Sequence, residues 1–146
     1  MGELMIGTCC IEEISDLVQL AKNIYDGSTE QELYQEFLEC LKDSKSELLL
    51  FKENRIMIGF AQFQIRTDYV EGTSSSPCGY LEGVFVLEGH RRQGIAKKLV
   101  EAGEKWCEEQ GCIEIGSDCH IDNLESFKFH QQIGFREVSR NIHFVK

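Results

Sequence analysis

Residues 78–106 read CGYLEGVFVLEGHRRQGIAKKLVEAGEKW, and the reading of this run decides the fold. Cys78 to Val86 reads as a strand. From Ala96 onward Leu99, Val100, Ala102, Gly103, Trp106 and Cys107 mark one helical face, and Gly111 is a natural stop. Between strand and helix, His90, Arg91, Arg92, Lys97 and Lys98 surround Gly94 with no carboxylate among them, in a chain of 25 acidic and 15 basic residues. A turn containing Gly94 before a helix that starts near Ile95 presents unpaired backbone N–H groups at the positive end of a helix dipole. Such an arrangement binds phosphate. Gly94 lets the backbone approach a ligand closely, Ala96 keeps the first turn slim, and Arg91, Arg92, Lys97 and Lys98 supply charge to a polyphosphate. The pattern is neither GxxxxGK[ST] nor GxGxxG, which argues against a nucleoside triphosphate or NAD.

Working outward, the 146 residues suffice for one compact domain, expected to span 1–146, and a single proline without any long Gly/Ser or charge-biased run argues against a linker. The formal charge of −10 argues against nucleic acid as the main partner and favours cationic ligands. Seven cysteines without a CxxC pair, and an N-terminus lacking a basic, apolar leader, fit free thiols in the cytoplasm. Cys112, Cys119 and His120 match no strong zinc spacing and lack a fourth ligand, so no metal is expected. No run approaches the roughly 20 apolar residues of a membrane span.

Leu4 to Thr8 reads as an opening strand, followed by Ile11, Ile14, Leu17, Val18, Ala21 and Ile24 at helical spacing. Ser28/Thr29 with Gln31/Glu32 is a capping-box signal for a helix from about Glu30 to Leu41. ELLLFKENRIMIGFAQFQIR is a β-hairpin turning at Glu53-Asn54-Arg55, TDYVEGTSSSP a surface loop, CIEIGSD a short strand, and Asn123 to Ile133 a helix closed by Gly134. The tail FREVSRNIHFVK is expected to form a last pair of strands. The order β-α-α-β-β-β-α-β-α-β-β predicts an α/β fold with a mixed sheet.

Arg91-Arg92-Gln93-Gly94-Ile95-Ala96 resembles the R/Q-x-x-G-x-G/A signature of the GNAT acyltransferases, and NLESFKFHQQIGF resembles that family's N-x-x-[AS]-x-x-[FL]-[FY]-x-x-x-G-F helix. The resemblance covers the whole chain and implies a mixed, mostly antiparallel central sheet flanked by helices. It also implies that Arg91, Arg92, Gln93, Gly94, Ile95, Ala96 and Lys97 hold the pyrophosphate of acetyl-CoA as co-substrate. Val84, Phe85 and Val86 would meet the pantetheine and thioester, with Phe85 and Val86 N–H as oxyanion donors. Asn123 would contact the cofactor. RTDYVEGTSSSPCGYLEGVFV and GSDCHIDN further resemble the short dimeric subgroup of aminoglycoside 6'-N-acetyltransferases, which implies a cationic aminoglycoside substrate, a homodimer, and substrate contacts from Tyr25, Tyr69, Glu82 and Asp118.

Acetyl transfer needs a neutral amine, a polarised carbonyl and a stabilised or protonated thiolate. Glu82, two residues before Val84, is expected on the same strand face as Val84. Asp118 ends the neighbouring strand, so the two carboxylates are expected to meet in one cleft, where either takes the ammonium proton. His130 stands where many GNAT enzymes carry a tyrosine that protonates the thiolate. Ser139 stands where relatives can carry a glutamate that helps bind drug across the dimer, which puts the substrate range in question. Two other readings stay open: a GNAT enzyme for another small-molecule or peptide amine, and a non-catalytic CoA-binding module.

Overall fold

The computed structural model describes residues 3–146. Strand β1 (Leu4–Thr8) leads through a 3₁₀ turn (Ile11–Glu13) into helices α1 (Ile14–Ala21) and α2 (Glu30–Lys42). Strands β2 (Ser46–Glu53), β3 (Ile56–Arg66) and β4 (Cys78–Val86) follow, then a 3₁₀ turn (Glu88–His90), α3 (Ile95–Glu109), β5 (Ile115–Ser117) and α4 (Leu124–Gln132). The strands form one sheet in chain order, antiparallel except for the parallel pair β4–β5 that α3 connects. The fold is the mixed, mostly antiparallel α/β sheet that the sequence predicts.

Local chemistry explains the boundaries. Thr29 Oγ1 accepts from Glu32 N–H (3.1 Å) while Glu32 Oε1 accepts from Thr29 N–H (3.0 Å), the reciprocal capping box that starts α2. Asn54 and Arg55 both take positive φ (52° and 68°), the left-handed pair that a two-residue hairpin turn demands. In β2, Leu49 and Phe51 enter one core with α3 while Leu48 and Leu50 enter the other with α1 and α2, so this strand is apolar on both faces. Where α3 crosses β3 there is room for no side chain: a Cβ on Gly103 would lie 1.9 Å from a Phe63 ring carbon.

Two features of β4 depart from a regular strand. Its pairing with β5 is confined to Gly79↔Ile115, Tyr80↔Gly116 and Leu81↔Ser117; from Glu82 to Val86 it runs on with no strand among the described residues on that side. On the other side its register with β3 slips between Phe63↔Leu81 and Gln62↔Gly83, leaving Glu82 as the extra residue of a β-bulge. The period-2 expectation that Glu82 shares a face with Val84 is therefore wrong. Leu81 and Val84 both pack on the α3 core, whereas Glu82 turns to the α1/α2 side, because the extra residue inverts side-chain parity.

The expected final pair of strands is absent: residues 135–146 form neither helix nor strand. A strand needs an edge to pair with, and none engages this segment within one chain. Phe135 still packs against the core, but Ile142 (81% exposed), Phe144 (91%) and Val145 (101%) face solvent.

Gly103→Ala is expected to lower stability by about 1–3 kcal/mol through overpacking against Phe63, outweighing its gain of up to about 1 kcal/mol in helix propensity. Urea denaturation is the check, and an unchanged midpoint would contradict this packing.

Candidate active site

The site forms where β4 parts from β5. Leu87 N–H donates to Ile58 O (2.9 Å), and by the antiparallel alternation Phe85, opposite Phe60, also turns its N–H toward β3. Val84 and Val86 then direct their N–H and C=O groups to the open side. This amends the expected pair of donors: Phe85 N–H is spent on the ladder, and Val84 takes its place beside Val86. The bulge is the cause, since before it the odd residue Leu81 shows its carbonyl to that side, 3.2 Å from Ser117 Oγ.

The basic loop closes one end of this opening. Gly94 precedes α3 at φ 76° with open space around it, and Arg92 is also left-handed (φ 65°). Both turns leave the first N–H groups of α3 facing outward. Ile95 is buried in the core and pins the helix start, while Gln93 and Lys97 are exposed and Ala96 half-buried. Arg91 spans the mouth: its Nε donates to Val86 O (2.9 Å), and its Nη1 lies 3.4 Å from Glu125 Oε1 on α4. Asn123 caps α4, its Oδ1 accepting from Ser126 N–H (3.0 Å). The basic cluster is not wholly free of acids: His90 Nδ1 is 3.2 Å from Glu53 on the hairpin and Lys97 is 4.0 Å from Glu101.

On the opposite face lies a cavity of about 510 Å³. Its floor is the row Gln62, Gln64 and Arg66 of β3, its far wall Glu36 and Glu39 of α2 with Asp43 just beyond that helix, and its inner end Tyr25 and Glu82. Four carboxylates against one guanidinium make it a place for cations. Tyr25 donates to Gln62 Oε1 (3.0 Å) and presses its hydroxyl over Gly83, where a Cβ would come within 2.1 Å of it. Burial, then the charges of Glu82 and Glu36, push the Tyr25 phenol well above its ordinary pKa, and the charge of Asp118 adds to the effect.

Glu82 lines this cavity and Asp118 does not, so the two carboxylates expected in one cleft are joined only through a network of intervening side chains. Tyr80 donates to Asp118 Oδ2, the Arg66 guanidinium carbon stacks 3.5 Å from the Tyr80 ring centre, and Arg66 Nη2 donates to Glu82 Oε2 (2.8 Å). Burial and the hydrogen bond to Asp118 raise the Tyr80 phenol as well. The Arg66–Glu82 pair is partly exposed (39% and 24%) and so contributes about 1 kcal/mol or less, which an arriving ammonium can displace.

His130, half-buried on α4, places Nε2 2.7 Å from Ser117 Oγ and Nδ1 2.7 Å from the Ser126 carbonyl. Two expected residues stand apart. Tyr69 is 74% exposed and accepts from Gly72 N–H (3.2 Å) within its own loop, and Ser139 is exposed on the tail; neither lines the cavity. Arg66, Gln62, Tyr80 and Ser117 were not anticipated. For the first two a signal existed, polar residues alternating through the apolar strand FAQFQIR; for the others only the parting of the strands gives them a role.

Comparisons with known proteins show the family. Residues 14–135 match the family model described as Acetyltransferase (GNAT) family. The chain belongs to that family and is an acetyl-CoA-dependent acetyltransferase related to the aminoglycoside 6'-N-acetyltransferases. Among curated relatives, an aminoglycoside N(6')-acetyltransferase type 1 of Acinetobacter genomosp. 13 is 38% identical over 134 residues, 91% of each chain. One of Salmonella typhimurium (strain LT2) is 37% identical over 127 residues, 87% of this chain and 88% of that one. Among solved structures, aminoglycoside N-acetyltransferase AAC(6')-Iy in complex with CoA superposes with a TM-score of 0.96 at 33% identity, covering 100% of this chain and 96% of that one. The same enzyme with the bisubstrate analogue CoA-S-monomethyl-acetylneamine gives a TM-score of 0.93 at 33% identity, covering 99% and 98%.

Raised phenol pKa values at Tyr25 and Tyr80 fix the sign of an alkaline effect. In the unfolded chain a phenol ionises near pH ~10, so the stability these two groups contribute is intact below about pH 10 and is lost as pH rises toward their native values. Thermal midpoints followed from about pH 9 to about pH 12 should fall more steeply for the native sequence than for Tyr25→Phe/Tyr80→Phe. Equal slopes would contradict the burial of these hydroxyls.

Proposed function

We propose that the protein acetylates the 6'-amino group of aminoglycosides, and thereby confers resistance to them, working in the cytoplasm as a homodimer. The observation that carries this is the acidic cavity that ends on Glu82, where the unpaired stretch of β4 begins, so that a polycation and an acyl donor can approach β4 from opposite faces of the sheet. In this reading the α3 N-terminus at Gly94, with Arg91, Arg92, Gln93, Ile95, Ala96 and Lys97, holds the CoA pyrophosphate. Val84 and Val86 N–H polarise the thioester carbonyl, and Phe85 and Asn123 border the pantetheine. Glu82 and Asp118 grip the ammonium groups and take one proton to free the amine. Tyr25 shapes the inner end of the cavity, and His130 serves the departing thiolate.

The tail supports the dimer. Ile142, Phe144 and Val145 are apolar side chains left in water by one chain, and a second copy is the occupant that would cover them. Tyr69 and Ser139, outside the cavity of a single chain, then reach the drug only from the assembled form. Sedimentation should show two chains, and a monomer at assay concentration would overturn this part.

One observation favours acceptance of a different amine. Arg66 stands inside the cavity on Glu82, which suits an acceptor carrying a carboxylate or other oxygens beside its amine. Thiol release with acetyl-CoA, measured across kanamycin, tobramycin, polyamines, amino acids and peptides, decides by the largest kcat/KM. Asp118→Asn should lower kcat/KM for the 6'-amino drugs by about 100-fold or more with CoA binding intact. Silence toward every amine, from a folded protein that CoA stabilises, would leave only the non-catalytic module.

A further inference from the structure

We propose that Ser117 is a catalytic residue, carrying the proton from the attacking nitrogen to the CoA sulfur, with His130 storing it between the two steps. This rests on the acetyl-transfer reading above. Ser117 is the last residue of β5 and forms the last β4–β5 pair, opposite Leu81. Its hydroxyl therefore stands at the apex of the opening, next to Asp118 and at the base of the free β4 edge that carries Val84 and Val86. It lies between two partners, the Leu81 carbonyl at 3.2 Å and His130 Nε2 at 2.7 Å.

The imidazole is held so that only one nitrogen faces the site. Nδ1 lies 2.7 Å from the Ser126 carbonyl, which can only accept, so in the neutral ring the hydrogen sits on Nδ1 and Nε2 accepts from the Ser117 hydroxyl. Phe129 and Phe135, with ring centres 6.0 and 5.3 Å from His130, fix the ring edge-on. A clamp between α4 and β5 would not require this tautomer. The helix is already held by its Asn123 cap and by Phe129, Ile133 and Phe135 packed on the core. The pair has the make-up of a hydroxyl with an oriented base behind it.

The step balances without any further reactant. When the neutral amine bonds to the carbonyl carbon, its nitrogen carries one excess proton. That proton passes to Ser117 Oγ while the serine's own hydrogen passes to Nε2, leaving an imidazolium bonded to Ser126 O and Ser117 Oγ. When the C–S bond breaks, the electron pair goes to sulfur; Nε2 returns its proton to Ser117 Oγ and the serine's hydrogen goes to sulfur. The amide and the thiol leave, and Ser117 and His130 regain their starting states.

The test is single-turnover acetyl transfer by the full chain with acetyl-CoA and kanamycin, or the best acceptor of the panel, for the native sequence, Ser117→Ala, Ser117→Thr and His130→Gln. Expected is a loss of about 100-fold or more in the transfer rate for Ser117→Ala and for His130→Gln, the ordinary worth of a proton-transferring side chain. Ser117→Thr should recover most of the rate, and all variants should keep the thermal shift given by CoA. His130→Gln decides even if Ser117→Ala does not fold, because a glutamine can hydrogen-bond to Ser117 but cannot store a proton. A native-like rate in a folded Ser117→Ala or His130→Gln variant overturns the relay while leaving the acetyltransferase reading intact. No transfer by the native sequence to any acceptor overturns both.

Discussion

The structure turns on one extra residue in one strand. The bulge at Glu82 inverts the parity of β4 just where β5 leaves it. Before it, odd-numbered residues face the α3 core and show their backbone to β5; after it, even-numbered residues do both. The carboxylate is thereby thrown to the α2 side while the N–H groups of Val84 and Val86 come free on the other edge. Neither result is available to a regular strand, in which side-chain direction and hydrogen-bonding direction are locked to one alternation.

Charge is then sorted by the sheet itself. The basic loop and the free N–H groups of α3 lie at the end of β4, and the acids of α2 and Glu82 lie behind the sheet. The barrier between them is a layer of packed side chains, so the two sets of charges face separate sides of the sheet. Tyr25 links the halves: it closes the inner end of the acidic cavity and rests on Gly83, the residue after the bulge, where only a glycine leaves room for its hydroxyl. Arg66 tempers the acid side and, by stacking on Tyr80, ties Glu82 to Asp118 through three side-chain contacts.

Most elements were legible in the chain because their signals are local. The Thr29–Glu32 box, the Asn54-Arg55 turn and the spacing Leu99, Val100, Gly103, Cys107 each report on a few neighbouring residues, and each was matched by the structure. The tail misled for the opposite reason. Its alternating apolar residues state a readiness to be a strand, but a strand exists only with a partner edge, and that is not a property of the segment. Glu82 misled because a bulge has no residue code of its own; the slip is set by what β3 and β5 do on either side.

What the amino-acid order determined by itself was the family, the basic, glycine-containing character of the Arg91–Lys97 loop, and the residue types that acyl transfer requires, since these are matters of composition at short range. Only the tertiary structure decided which backbone amides are free, that Glu82 and Asp118 share a network through Tyr80 and Arg66, and that Ser117 stands on His130. Those depend on register and on contacts 13 to 38 residues apart, and a linear pattern carries no record of where two strands cease to pair.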